Sequence, residues 1–221
     1  MNKILSIIIP TYNAAQFLDK GLSTFIMEDK EMMDKLEVLI VNDGTKDNSV
    51  EVAQKFVDRY PNTFKIINKE NGGHGSAINT GVENVTGKYF KCVDADDWVY
   101  TDALERTMKI LEKEDFDALI QSFITYDISK DLWEPRDIHC DNTDRIYNLK
   151  EIVDMWEQID YGMSFHGVTY NAQFYKSLGY KLIEGVFYED QEYATIPLSY
   201  AKRIRLLDDE LYVYRLGDVN Q

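Results

Sequence analysis

Hydrophobic and polar positions alternate in blocks over the first hundred residues. Short apolar runs at 4–9, 36–41, 64–67 and 89–93 are too brief for helices and end in polar or turn-forming residues, so they read as buried strands. Longer amphipathic stretches between them predict helices over 14–27, 48–60 and 75–85. Asp47 stands where it caps the second of these, and Gly87 follows the end of the third. Strands and helices in this alternation imply right-handed βαβ units. The expected fold is therefore α/β, a doubly wound, mostly parallel sheet with helices on both faces.

In such a sheet, ligands bind beyond the carboxyl ends of the strands. The segments there are Pro10-Thr11-Tyr12-Asn13, Asn42-Asp43-Gly44-Thr45, residues 69–75 and residues 94–98, and all four are polar. After residue 101 the alternation ends. A helix is predicted over 102–113 and a strand over 118–124, followed by a polar, aromatic-rich stretch over 126–147. A helix over 149–158, an apolar run at 163–170, a helix starting near Asp190 and strands at 204–207 and 211–214 complete the pattern. Residues 1–100 thus read as a ligand-binding half and 101–221 as a substrate-facing elaboration of the same domain. There are no internal repeats. The chain stops soon after Arg215, and a natural protein that extends beyond Gln221 is expected.

Charge narrows the partners. The chain holds 24 Lys and Arg against 39 Asp and Glu, a formal charge of −15, which argues against a nucleic-acid surface. A phosphorylated small substrate then needs a local cation. The two cysteines, Cys92 and Cys140, have neither the number nor the spacing of a disulfide framework or zinc site, and read as reduced thiols of a cytoplasmic protein. The run at 4–9 is too short for a signal peptide, meets Pro10 and lacks a small-residue cleavage site. No stretch approaches the ~20 apolar residues that span a bilayer, so any membrane contact is peripheral, at the inner face.

The densest chemistry lies in Asp94-Ala95-Asp96-Asp97, directly after a buried strand. Carboxylates there are hard oxygen ligands suited to Mg²⁺ or Mn²⁺, ions that bridge to substrate phosphates. A solvated turn leading into a helix uses the same residue types. Trp98 beside the run, and the lack of any Lys- and Arg-rich phosphate cradle, favour the metal. Neither a Walker-type glycine loop nor a Gly-x-Gly-x-x-Gly turn after the first strand is present.

Taken in order, Ser6-Ile7-Ile8-Ile9-Pro10-Thr11-Tyr12-Asn13, Val41-Asn42-Asp43-Gly44-Thr45, Asn71-Gly72-Gly73-His74-Gly75-Ser76-Ala77-Ile78-Asn79 and Asp94-Ala95-Asp96-Asp97 resemble the family 2 glycosyltransferases. The resemblance is strong over residues 4–100 and weak beyond. It implies a GT-A, Rossmann-like fold whose residues 1–100 form the nucleotide-sugar-binding half and 101–221 the acceptor-binding half. It further implies that Thr11 and Tyr12 line the base pocket, with Tyr12 stacking on the ring and Asp43 accepting a hydrogen bond from the base. Gly73 belongs to the family's glycine-containing stretch beside the nucleotide, with Lys69 upstream as a phosphate or base contact. His74 falls at a variable position and reads as a surface histidine rather than a sugar contact, while Asn79 reads as a brace between loops.

By the same resemblance, Asp94 serves the ribose and diphosphate side and Asp96 is the principal metal ligand, with Asp97 as the alternative. Phe187-Tyr188-Glu189-Asp190 matches the family's pair of acids after an aromatic, which makes Asp190 the catalytic base. An acidic cluster at a helix start explains the same residues, and such a position weakens a base. His166 reads as a core histidine or a wall of the acceptor site, and Arg215 as a structural residue within reach of a diphosphate. The Gln-x-x-Arg-Trp signature of processive synthases is absent, which disfavours processive synthesis.

The activity implied is inverting, metal-assisted transfer of one sugar from a nucleotide-sugar, a UDP-sugar by resemblance, to a glycan, lipid-linked or cell-envelope acceptor. Two alternatives stand beside it. A sugar-nucleotide-forming nucleotidyltransferase needs a glycine-rich basic loop after the first strand, where this chain has Pro10-Thr11-Tyr12-Asn13. A non-catalytic sugar-binding module is disfavoured by the presence of both Asp96 and Asp190.

Overall fold

The computed structural model describes residues 2–140, 142–159 and 161–217. Its first half follows the predicted alternation: β1 (Leu5–Thr11), α1 (Ala15–Ser23), α2 (Lys30–Lys35), β2 (Leu36–Asp43), α3 (Ser49–Arg59), β3 (Phe64–Lys69), α4 (His74–Asn84) and β4 (Tyr89–Cys92). All seven residues of β1 are buried, as expected of a strand covered on both faces. It pairs in parallel with β2 and β4, setting Ile8 beside Leu39 and Cys92, while β3 lies outside β2.

Successive residues of β1 point to opposite sides, and two cores result. Ile7 and Ile9 join Leu18, Leu22, Phe56 and Met108 in one layer, whereas Ile8 joins Ala77, Ile78 and Val82 in the other. The second layer also contains the aromatic group Phe90, Tyr170, Tyr175 and Tyr193, packed ring to ring at 5.0–6.3 Å.

The second half comprises β5 (Trp98–Val99), α5 (Thr101–Lys113), β6 (Ala118–Asp127), β7 (Leu132–Arg136), β8 (Ile146–Tyr147), α6 (Leu149–Asp154), α7 (Trp156–Ile159), β9 (Val168–Asn171), α8 (Ala172–Ser177), α9 (Glu189–Thr195), a 3₁₀ turn at Leu198–Tyr200 and β10 (Ile204–Leu216). The sheet runs β3-β2-β1-β4-β9-β6-β10-β5, with β7 on β6 and β8 on β10. Short β9 is wedged antiparallel between β4 and β6, and β10 returns parallel to β6. The fold is thus the expected α/β sheet, largely parallel, with helices on both faces.

Several elements differ from the sequence pattern for local reasons. The first helix ends at Ser23 instead of residue 27, where Ser23 and Thr24 hydroxyls donate back to the Lys20 and Gly21 carbonyls, both at 2.7 Å. α2 is an extra turn, begun by Asp29, whose Oδ1 accepts from the Glu31 and Met32 amides. The helix expected over 149–158 breaks at Met155 into α6 and α7. The two expected final strands are one, β10, with a register shift between Leu207 and Tyr212. Gln121 donates to the Asp209 carbonyl and Ser122 to the Asp208 carboxylate, which holds that irregular segment in place.

At the amino end of the sheet, Glu37 is fully buried in β2 and accepts from Ser6 Oγ (2.6 Å), Lys65 Nζ (2.8 Å), and both the amide and hydroxyl of Thr86 (2.9 Å each). Among the described residues no helix is long and apolar enough to cross a membrane. Cys92 and Cys140 are free thiols.

Candidate active site

A cleft of about 770 Å³ opens at the carboxyl ends of β1, β2 and β4. Thr11, Tyr12, Asp43, Gly73, Asp94 and Asp96 all border it, together with Asn13, Phe17, Asn71, His74 and Tyr214. Six of the eight sequence-predicted site residues therefore meet at one mouth. Lys69 stands just behind it, and Asp190 lies outside the lining at the start of α9.

The loops are tied to one another by side chains. Asn13 adopts a left-handed conformation, φ 51°, and its amide donates to Thr45 Oγ1 at 2.8 Å while its Oδ1 accepts from the Lys46 amide at 2.9 Å. Asp47 Oδ2 accepts from the Ala15 amide and Oδ1 from the amide and hydroxyl of Ser49, so it joins the starts of α1 and α3. Asp43 is almost wholly buried. Its Oδ1 accepts from Lys69 Nζ (2.6 Å) and the Gly72 amide (2.9 Å), and its Oδ2 from the Gly73 amide (2.9 Å). Lys69 also donates to the Glu70 carbonyl, so its ammonium is engaged in shaping this loop. Gly73 at φ 87° makes the turn into α4 that an L side chain would strain.

The acidic run is differentiated by its partners. Asp97 is buried, with Oδ2 accepting from Tyr212 OH at 2.6 Å and Oδ1 from the Arg215 amide at 2.7 Å. Burial, then the charges of Asp94 and Asp96, push its carboxyl well above the usual range. Asp96 faces the cleft; Arg215 donates from Nε to its carbonyl and lies 3.5 Å from its carboxylate, while the guanidinium stacks on Phe17. Asp94 accepts from His74 Nε2 at 2.9 Å, and its amide donates to Tyr212 OH at 3.0 Å. Burial pushes its carboxyl up, but the His74 charge and hydrogen bond prevail and lower it.

His74 is a half-buried histidine of the cleft lining, held from both sides. Its other nitrogen, Nδ1, meets the buried Glu189 carboxylate at 2.9 Å. Burial disfavours the imidazolium, yet Asp94 and Glu189 outweigh it and raise the pKa to about 10. His166 is the opposite case. It stacks on Tyr214 at 3.9 Å beside Phe123 and Tyr212, and burial lowers it to about 4. Asn79 does brace loops, exchanging hydrogen bonds of 2.9 Å with the Leu182 amide and carbonyl.

Among the described residues, Asp94, Asp97 and His166 form a metal-compatible group, with ligand atoms within 4.8 Å of one another. Two of Asp97's acceptor positions are already occupied by Tyr212 and Arg215, whereas Asp94 and Asp96 face the cleft. Carboxylate oxygens at this mouth fit a hard divalent cation. Sequence reasoning missed Tyr214, whose phenol is raised by burial and then by the charges of Asp97, Asp94, Asp96 and Asp190. It also missed the roles of Tyr212 and His74. Their partners lie 118 and 115 residues away, beyond any local pattern.

A doubly wound sheet with a polar cleft and clustered carboxylates at its carboxyl edge defines a nucleotide-type binding fold. The chain belongs to glycosyl transferase family 2, whose model matches residues 6–179. The uncharacterized glycosyltransferase EpsJ of Bacillus subtilis is 26% identical over 223 residues, covering 97% of this chain and 62% of EpsJ. YibD of Escherichia coli, also an uncharacterized glycosyltransferase, is 39% identical over 114 residues, 52% of this chain and 32% of YibD. The chain therefore spans less than two thirds of these relatives. S. aureus TarS, solved in complex with UDP-GlcNAc, superposes with a TM-score of 0.77 at 20% identity, over 97% of this chain and 59% of that one. The mannosyltransferase PcManGT of Pyrobaculum calidifontis, solved with GDP-Man and Mn²⁺, gives 0.66 at 19% identity, over 96% and 57%. These structures establish the GT-A fold.

Proposed function

We propose that this chain transfers a sugar from a UDP-sugar to a hydroxyl of a glycan or lipid-linked acceptor, with inversion and with help from Mn²⁺ or Mg²⁺. The observation that carries this reading is the single cleft at which Tyr12, Asp43, Gly73, Asp94 and Asp96 converge. The structures of TarS with UDP-GlcNAc and PcManGT with GDP-Man and Mn²⁺ support a nucleotide-sugar donor and a metal.

The base enters between Thr11, Tyr12 and Asp43. Tyr12 is 46% exposed and offers a ring face for stacking, while Asp43 Oδ2 has one bond and can accept another from an imide. Lys69 acts through Asp43, holding its carboxylate. Asp94 takes the ribose side, and Asp96 holds the metal. A bound Mn²⁺ or Mg²⁺ supplies charge that offsets the departing diphosphate. Asp190 removes the acceptor hydroxyl proton as that oxygen bonds to the anomeric carbon and the bond to the diphosphate breaks on the opposite face. Its charge already reaches Tyr214 at the cleft.

Calorimetric titration with UDP tests this. Binding is expected to require Mn²⁺ or Mg²⁺ and to collapse in Asp96→Ala. Metal-independent binding of equal strength defeats the assigned metal role, and loss in His166→Ala with retention in Asp96→Ala moves the ion to the Asp94, Asp97 and His166 group. Thermal protection by a panel of UDP-sugars identifies the donor.

A further inference from the structure

The start of α4 and the segment leading into α9 are gripped together, although the resemblance assigns α4's glycine-containing turn only to the nucleotide. A Cβ on Gly75 would lie 2.9 Å from the Ile183 carbonyl and 3.2 Å from Glu189 Cγ. Gly73 faces the backbone of Gly185, where a Cβ would stand 3.8 Å away. Asn79 adds both its bonds to Leu182 and one of 3.2 Å to Glu184. Within this contact, the His74 side chain also reaches the donor-side carboxylate, with Asp94 on Nε2 and Glu189 on Nδ1, each at 2.9 Å. Glu192, one turn further along α9, closes the same segment by accepting from Tyr180 OH and the Ile183 amide.

We propose that His74 is a positioning residue which ties the first turn of α9, and with it Asp190, to the donor face through its paired hydrogen bonds to Asp94 and Glu189. The proposal rests on Asp190 as the base. A histidine suits this task because a planar ring presents two donors on opposite edges when charged, so one side chain spans two carboxylates that would otherwise repel. Asp190 itself is half-buried and, among the described residues, its side chain takes a hydrogen bond of 3.2 Å from Gln191, its neighbour on the same helix, so its placement depends on how α9 is seated. The segment just before it is exposed, with Phe187 at 92% and Tyr188 at 80%, and Tyr188 sits at φ 69°. No core packing of those two side chains seats the helix start. The tether does.

The test compares wild type with His74→Gln, His74→Ala and Glu189→Gln. Hydrogen exchange is read over residues 182–190, UDP affinity is measured with Mn²⁺, and turnover is followed with the donor found by the UDP-sugar screen. His74→Ala is expected to raise exchange in 182–190 and lower kcat by about tenfold or more while UDP affinity changes less than about twofold, since misplacement of a base acts on the chemical step. His74→Gln, which keeps one hydrogen bond, should recover part of kcat. The pair His74→Ala and Glu189→Gln together should cost little more than either alone, the non-additivity of groups acting as a unit. Unchanged exchange and kcat in His74→Ala overturn the proposal, as does a loss confined to UDP affinity. Should Asp190→Asn keep full turnover while His74→Ala still loosens 182–190, the tether survives and the assignment of the base fails instead.

Discussion

The two ends of the sheet bury carboxylates under opposite conditions. At the amino end one acid, Glu37, receives four hydrogen bonds from Ser6, Thr86 and Lys65. At the carboxyl end Asp43, Asp94, Asp96, Asp97 and Glu189 crowd together, and among the described residues they pair with Lys69, His74 and Arg215. The pKa directions follow. Burial works against Glu37, but its hydrogen bonds from Lys65, Ser6 and Thr86 hold it below the ordinary range, whereas burial, Asp94 and Asp96 push Asp97 above it. A saturated carboxylate is a structural bolt. An acidic cluster left short of cations is a place where a positive ligand gains most, which is why the catalytic reading belongs to the carboxyl end.

If this contrast is right, substitutions at the two ends separate stability from binding. Glu37→Ala should have the largest effect on folding, about 3 kcal/mol by urea denaturation, because the buried Ser6 hydroxyl and the partly buried donors of Thr86 and Lys65 all lose their acceptor. Metal-dependent UDP binding per folded molecule should stay unchanged; a loss there would erase the distinction. Tyr212→Phe comes next at about 1–2 kcal/mol, since it strips one partner from the buried Asp97 and from the Asp94 amide. It should also weaken UDP binding by loosening the turn. Asp96→Ala should sit near zero on the stability scale, within about 0.5 kcal/mol, because relief of like-charge crowding offsets the lost pair with Arg215. It should nevertheless abolish metal-dependent binding. A large drop in stability for Asp96→Ala would mark it as a bolt too.

How much of this was legible beforehand follows from which contacts are local. The strands β1 to β4 announce themselves because each is a short apolar run bounded by polar turns, and the turn residues Thr11, Tyr12, Asp43, Gly73, Asp94 and Asp96 then fall at one edge by topology alone. Asp97 sits in the same run, yet its commitment to Tyr212 and Arg215 depends on where β10 returns, and nothing within a few residues encodes that. His74 looked like a loop residue for the same reason. Glu37 hides in an apolar strand, where the pattern averages it away. The break between α6 and α7, and the single long β10, turn on how tertiary partners resolve weak local preferences.

Acid titration of stability gives the smallest effect and the sharpest sign. Asp47, which caps across two helix starts, is driven to about 2: burial opposes this, and its hydrogen bonds from Ser49, Ala15 and Thr45 prevail. Its folded value lies below its unfolded one, so its contribution is present above about 3.8 and disappears as pH falls through about 2. Glu37 has the same sign, its contribution fading as pH drops below its unfolded value. Asp97 has the reverse sign: a raised folded pKa means its term is fully present below the unfolded value and is lost as pH rises. Urea midpoints of the wild type measured from pH 5 down to 2 should therefore fall, with the fall reduced in Glu37→Gln and, by about 1 kcal/mol or less for a partly exposed cap, in Asp47→Asn. Asp97→Asn should make the fall steeper by removing a term that grows in acid. If instead it leaves the acid slope unchanged, the folded value of Asp97 is not raised, and the electrostatic contrast between the two ends reduces to a difference in number alone.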